Sequence, residues 1–552
     1  MRKRSTFATL LAHFFHNFFE NDLIQSNGDM VTTIVRALSI VASPGLMLAF
    51  FLQNQYPRRP AWGRIEDHYF FVLYSMLSMA GVAIFEWEML FPGRLDFLVL
   101  SPLPLRGRVM LGAKAGALGL FLSLFLAASN VFGAFMLPMV SKEHLWRQIG
   151  AHLLAATCSG VFGAFAVMAA GGVLLCILPS GAFKRISPVL QMIATMMLGL
   201  LLVHYVCFGD SLDEALGTPF GRALYIPSFW YLGMYERLLR GSSAADFALP
   251  MMKLGLWAIG IALATVAITY PLAWVRMRRM AIEGEGGPRK GHSPLFINWL
   301  IAHAVPLSAQ RAVFHFIGQT IARNSRYQVY LAMYSGTGLA LAIACAGTFV
   351  NRSGQLHPVV SIQGLHAVMP LLLFWVVVGL RMAFGLPMNL PARWVFRITG
   401  APREACVSTS RIWTLLCGLT MLVFLLPVLS LGGFRARELL VQGVCGVVLC
   451  VLMVESLLFA DRGIPFAQPR SPGKENLPLL LTLFIGVLPV FCIGMVRAEM
   501  WLEHKLRWLP VLILTVPILY AVSGYLRRRS QAQLEDGDEI ESEFQLLGLG
   551  TE

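Results

Sequence analysis

The sequence predicts an all-α polytopic membrane protein of about 12 transmembrane helices, in two six-helix repeats with an amphipathic interfacial helix before each half. Three observations carry that prediction. Hydrophobic residues make up 57% of the 552 positions and charged residues 13%, where soluble domains carry about a quarter charged residues. The apolar residues gather into runs of roughly 20 or more, the length that crosses about 30 Å of hydrocarbon as a helix. The layout of the first half then returns about 297 positions later. The runs are continuously apolar and do not alternate, which sets aside a β-barrel.

The N-terminal stretch MRKRSTFATLLAHFFHNFFENDLIQSNGD is basic, but His13, His16, Asn17, Glu20 and Asp22 break its apolar part. It is expected to be an interfacial helix over 5–24, with Phe14, Phe15, Phe18 and Phe19 facing lipid, and not a cleavable signal peptide. Spans are expected at 31–52, 69–90, 109–137, 149–178, 187–208 and 251–277 in the first half. In the second half they are expected at 328–350, 363–386, 404–432, 438–459, 475–496 and 507–527. The runs at 109–137 and 149–178 exceed a straight crossing, so they tilt or continue beyond the bilayer.

The first half (1–282) is joined to the second (295–527) by the Gly- and charge-rich linker 283–294, EGEGGPRKGHSP. After it, PLFINWLIAHAVPLSAQRAVFHFIGQTIARNSRY matches the N-terminal stretch in character, amphipathic and rich in aromatics. The tail 528–552 is acidic and is expected to be disordered and cytoplasmic. One asymmetry separates the halves. Between fifth and sixth spans the first half has the long segment Gly209–Pro250, and the second only RAEMWLEHKLRW. Trp230, Tyr231, Tyr235, Trp501 and Trp508 are expected in interfacial aromatic belts.

Charge sets the expected orientation. With both termini inside, the larger share of the 44 Lys and Arg falls on cytoplasmic segments. The stretch Arg276, Arg278, Arg279, Arg289, Lys290, Arg311, Arg323 and Arg326 is the main contributor, while Arg58, Arg59 and Arg64 run against the rule. The net charge of +14 then reads as topology, in a bacterial-type inner membrane. The basic residues form no continuous patch, which argues against nucleic acid as a partner.

Enzyme chemistry finds no foothold. The chain has no G-x-x-x-x-G-K-[ST] loop, no H-E-x-x-H and no G-x-S-x-G elbow. Its nine cysteines show neither C-x-x-C nor Cys/His metal spacing, so no cofactor or metal is expected. Ionisable residues are sparse in the spans. Glu86, Glu88, Arg381 and Glu455 stand near their expected cytoplasmic ends, where they either snorkel or form an interfacial charge network.

The loop after the second span, EWEMLFPGRLDFLVLSPLPLRGRVMLGAK, is charged, proline-broken and still partly apolar. Leu95–Leu100 is expected to form a turn or two of helix along the membrane surface, ended by Pro102 and Pro104, a shape suited to a groove on another protein. Its counterpart is PMNLPARWVFRITGAPREACVSTSR, and the same offset carries Arg106 onto Arg403 and Lys114 onto Arg411. A span, a loop with Arg94-x-Asp96, then Leu103-Pro104-Leu105, basic residues and a lysine entering the next span resembles the permease subunit of type-2 ABC exporters. The resemblance implies a coupling helix docking on a separate ATP-binding cassette subunit, two copies of which would serve one twelve-span chain.

The residues that the resemblance assigns to coupling are Arg94, Asp96, Leu103, Pro104, Arg106 and Lys114, with Arg393, Trp394, Arg403 and Arg411 in the second loop. The second loop departs from the pattern, with Trp394 near the place of Asp96 and Gly400-Ala401-Pro402 replacing Leu103-Pro104-Leu105. Two other readings stay open: a twelve-span secondary transporter driven by an ion gradient, and a membrane enzyme or assembly factor acting on lipids.

Overall fold

The computed structural model describes residues 5–19, 30–55, 61–87, 89–91, 94–100, 102–141, 145–208, 225–283, 305, 307–352, 355–385, 403–458, 465–466 and 477–541. The protein is an all-α polytopic membrane protein, and its chain divides into two units, Met1–Gly291 and His292–Glu552. Among the described residues, eleven helices are long and apolar enough to cross a membrane. The span expected at 475–496 falls on a further helix, Leu477–His504. Proline lies inside many of these helices (Pro44, Pro138, Pro188, Pro271, Pro370, Pro427, Pro489 and Pro517). In water each would cost about 3 kcal/mol. Membrane helices tolerate them, because neighbouring groups take up the freed backbone carbonyls.

The first unit comprises α1 (Thr6–Phe19), α2 (Met30–Gln55), α3 (Ala61–Phe85), α4 (Arg94–Leu100), α5 (Gly107–Ser141), α6 (Leu145–Ile177), α7 (Ser180–Phe208), α8 (Pro227–Arg240) and α9 (Ala248–Glu283). Its centre is α6, whose buried face is built of small residues: Ala155, Ala156, Ser159, Gly160, Gly163, Ala164, Gly171 and Gly172. Lipid tails offer no hydrophobic contrast, so helices associate there through close packing and interhelical hydrogen bonds. Both are present. A Cβ on Gly163 would lie 2.5 Å from the Met76 carbonyl oxygen of α3, so only glycine permits this approach. Ser75 Oγ donates to the Ala156 carbonyl at 2.7 Å and Ser159 Oγ to the Val72 carbonyl at 2.9 Å, stitching α3 to α6.

Two groups of aromatics depart from expectation. Phe14, Phe18 and Phe19 do not face lipid; they are buried, and Phe18 stacks on Phe121 of α5 at 4.8 Å. The aromatic face of α1 finds protein because α5 offers a complementary ridge of Phe121 and Phe125, where contact also gains aromatic packing energy. Tyr231 and Tyr235 likewise lie inside the unit and not in an interfacial belt. Pro227 starts α8 at a position that needs no backbone donor. From that helix Phe229 stacks on Tyr69 at 4.7 Å, and Tyr231 donates to the Gly255 carbonyl at 3.2 Å. Burial holds the Tyr231 phenol well above its ordinary range, so it remains a donor. Trp501 and Trp508 are exposed, as an interfacial placement requires.

The second unit comprises α10 (Ser308–Arg323), α11 (Ser325–Ala346), strands β1 (Gly347–Arg352) and β2 (Gln355–Val360), α12 (Ile362–Phe384), α13 (Arg403–Leu431), α14 (Ala436–Leu457), α15 (Leu477–His504) and α16 (Leu509–Glu541). The hairpin corrects the expected end of the first span in this half. The strands pair antiparallel from Gly347↔Val360 to Arg352↔Gln355, so residues 347–350 leave the helix. Thr348, Phe349 and Val350 favour a pleated strand once Asn351 and Arg352 end the apolar run. Ser361 then caps α12 by accepting from the Gly364 N–H at 3.1 Å. Trp375 of α12 donates to the Tyr334 carbonyl of α11 at 2.6 Å and stacks on its ring at 4.9 Å. The acidic tail also departs from expectation, because α16 continues through 528–541. Gln531, Ala532, Gln533, Leu534 and Glu535 are good helix formers and carry the helix past the membrane run.

Candidate functional site

The turn after α3 is held by the backbone itself, with the Met89 and Leu90 N–H groups donating to the Glu86 carbonyl at 2.8 and 3.0 Å. Glu86 is buried in this turn; Glu88 lies outside the described residues. α4 follows as a seven-residue helix, Arg94–Leu100. Its inner face is Phe97 and Leu100, both buried, with Phe97 edge-on to Trp274 of α9 at 4.7 Å. Proline at 102 and 104 removes the donors that would extend it. The chain restarts as α5 when the Val109 N–H reaches the Arg106 carbonyl at 2.9 Å.

Lys114, about two turns into α5, joins three elements. Its Nζ lies 3.2 Å from Asp96 Oδ2 of α4, and 4.9 and 5.6 Å from the ring centres of Phe14 and Phe18 of α1. The lysine side chain is 3% exposed and the aspartate 17%, so the ammonium is charge-paired and ring-covered where water is scarce. The opposite edge of α4 is apolar and open. Leu98, Val99 and Leu103 are 50%, 66% and 50% exposed. Pro104 and Arg106 are exposed beside them. Arg94 begins α4, and its side chain lies outside the described residues.

In the second unit Arg411 is buried about two turns into α13. Its Nη1 lies 3.8 Å from Glu455 Oε2, and its Nη2 donates to the Leu458 carbonyl at 2.8 Å, at the C-terminal end of α14. A guanidinium there satisfies a terminal carbonyl and complements the helix dipole. In the first unit the carbonyls at the end of α6, Cys176 and Leu178, accept instead from Arg276 of α9. α10 packs on α13 through Phe314, edge-on to Trp413 at 4.5 Å, and through Gln310, which donates to Ser408 Oγ at 3.0 Å. Arg393 and Trp394 lie outside the described residues, as does the side chain of Arg403 at the start of α13. Arg381 is half-buried in the last turn of α12.

The structure therefore brings Asp96 to Lys114 and Glu455 to Arg411, and leaves Leu103, Pro104 and Arg106 on the surface. A second polar group, which hydropathy along the chain does not reveal, stands near the N-terminal ends of α3, α12 and α14 and the C-terminal ends of α8 and α15. It comprises His68, Glu236 and Arg240 in the first unit, and His366, Gln442, Glu499 and Glu503 in the second. One signal in the sequence points to it: His68 and His366 sit within a residue of the offset that relates Lys114 to Arg411. No family model, no curated protein and no solved structure matches the chain.

Proposed function

We propose that this chain is the membrane subunit of an ATP-driven exporter of the type-2 ABC class. It forms the translocation path and couples to two copies of a separate ATP-binding subunit through the loops at 92–114 and 389–411. The observation that carries the reading is α4, a short helix anchored from behind by Phe97 and by the Asp96–Lys114 pair, with Leu98 and Val99 open to a partner. An anchored apolar edge beside exposed arginine suits insertion into a groove, and the anchor would pass a push on α4 directly to α5 and α1. The sequence has no phosphate-binding loop, so hydrolysis falls to the partner.

In this reading the two units are parallel six-span repeats in a bacterial-type inner membrane, with both termini cytoplasmic. Two pairs of features support the repeat. In each unit an aromatic amphipathic helix packs on the third long helix, α1 on α5 and α10 on α13. In each, a buried cation two turns into that helix meets a carboxylate. The test is co-expression of the full chain with an ATP-binding subunit, followed by co-purification and ATPase assay. Leu98→Glu with Val99→Glu is expected to abolish both while the chain stays monodisperse. Substrate uptake driven by an ion gradient, without any ATPase, overturns the proposal.

The secondary-transporter reading is favoured by one observation, the buried histidine and carboxylate of the second unit, His366 and Glu499, since such groups mark proton relays in membrane proteins. The same gradient assay separates the two readings.

A further inference from the structure

At the end of the second unit away from Arg411, three helices meet around His366 of α12. Its Nδ1 lies 3.5 Å from Glu499 Oε2 and its Nε2 3.6 Å from Glu503 Oε1, both on α15. Gln442 of α14 stands between, with Nε2 2.9 Å from His366 Nδ1 and 2.6 Å from Glu499 Oε2. Phe434 covers the imidazole at 4.7 Å. His366, Gln442 and Glu499 are buried, and the Gln442 Oε1 and Glu499 Oε1 atoms have no hydrogen-bond partner among the described residues.

Hydrogen-bonding capacity constrains this group. As placed, the Gln442 amide donates to both Glu499 and Nδ1, which makes Nδ1 an acceptor and the imidazole neutral. Two carboxylates one helical turn apart, Glu499 buried and Glu503 at the rim, would then stand with no positive charge on the imidazole between them, an expensive arrangement for Glu499. A proton on Nδ1 changes each of these interactions. The imidazolium presents a donor to each carboxylate, Nδ1–H toward Glu499 and Nε2–H toward Glu503, while the Gln442 amide gives up Nδ1 and keeps its donation to Glu499. The other charged and titratable groups nearby are Glu438 and Cys445 of α14, Cys492 of α15, and Arg437, which donates to the Glu503 backbone carbonyl.

We propose that His366, Gln442, Glu499 and Glu503 form a proton-binding site, and that its occupancy clamps α12, α14 and α15 together at this end of the unit. The proton adds to the Nδ1 lone pair from water, and no other covalent bond changes. The first unit holds a permanently compensated version. His68 Nδ1 lies 2.8 Å from Glu236 Oε1, and Arg240 Nε lies 3.0 Å from Glu236 Oε2, so that carboxylate already has a fixed positive charge beside it. The clamp operates in the same way whether ATP or an ion gradient drives transport.

The experiment uses the full chain in lipid nanodiscs. Nitrogen-15 histidine spectra are recorded from pH 5 to 9, with His366→Gln assigning the signal, and hydrogen exchange of segments 438–445 and 497–504 is followed with correction for the intrinsic rate. The expected result is a His366 ring protonated on both nitrogens at the acid end. Exchange in both segments is expected to quicken about tenfold as that proton leaves. Should His366→Gln fail to fold, Glu503→Gln at the rim of the group assigns the signal by altering its titration. A neutral ring throughout, exchange independent of pH, or a titration unchanged by Glu503→Gln overturns the proposal.

Discussion

Among single residues, Lys114 shows what a lone charge in an apolar helix requires. Its ammonium is stabilised by Asp96 and by the faces of Phe14 and Phe18, so it serves as a fastener between α1, α4 and α5. Removing one member of a buried pair leaves the other uncompensated, at about 3–5 kcal/mol. Asp96 is partly exposed, which places Lys114→Met toward the lower end, about 3 kcal/mol. Thermal unfolding of the full chain in detergent measures this, and Lys114→Arg, which keeps the charge, is expected to lose clearly less. Equal losses would mean that packing around the stem, and not the charge, matters. Phe97 offers a separate check on the anchor. Phe97→Ala removes the contact with Trp274 and is expected to cost about 3 kcal/mol. Protease sensitivity at residues 94–105 should rise with it.

Between elements, the fit of α6 against α3 depends on missing side chains. Gly163→Val places a β-branched group against the Met76 carbonyl and is expected to destabilise the unit by about 1–3 kcal/mol, read as a lowered unfolding midpoint. The same substitution at Gly150, where a Cβ meets nothing within 4 Å, serves as the control. α4 makes the opposite demand. Its exposed residues contribute little to the fold, so Leu98→Glu and Val99→Glu are expected to change stability within about 0.5 kcal/mol. Loss of partner binding at unchanged stability would separate docking from folding; a large stability loss would show the edge is covered within the chain. That α4 is a helix at all is legible in the sequence, from the apolar run closed by Pro102 and Pro104. That its aspartate reaches Lys114, 18 positions on, is not.

For the molecule as a whole, the parallel-repeat reading makes an orientation prediction. In a background without native cysteines, Leu98→Cys and Arg393→Cys are expected to react with an impermeant thiol reagent in everted vesicles and not in right-side-out ones. Labelling of the two from opposite sides would refute a parallel repeat. The membrane class, the placement of the helices and the short helix after the second span can all be read along the chain. They follow from transfer free energies and backbone restrictions that add up locally. The aromatic faces of α1 and α8 cannot be assigned in that way, because apolar periodicity marks a face as buried without saying whether lipid or protein covers it. Which charges meet is likewise settled only in three dimensions. Asp96 with Lys114, Glu455 with Arg411, and His366 with Glu499 and Glu503 are pairings across helices, set by register and rotation that no window of sequence contains.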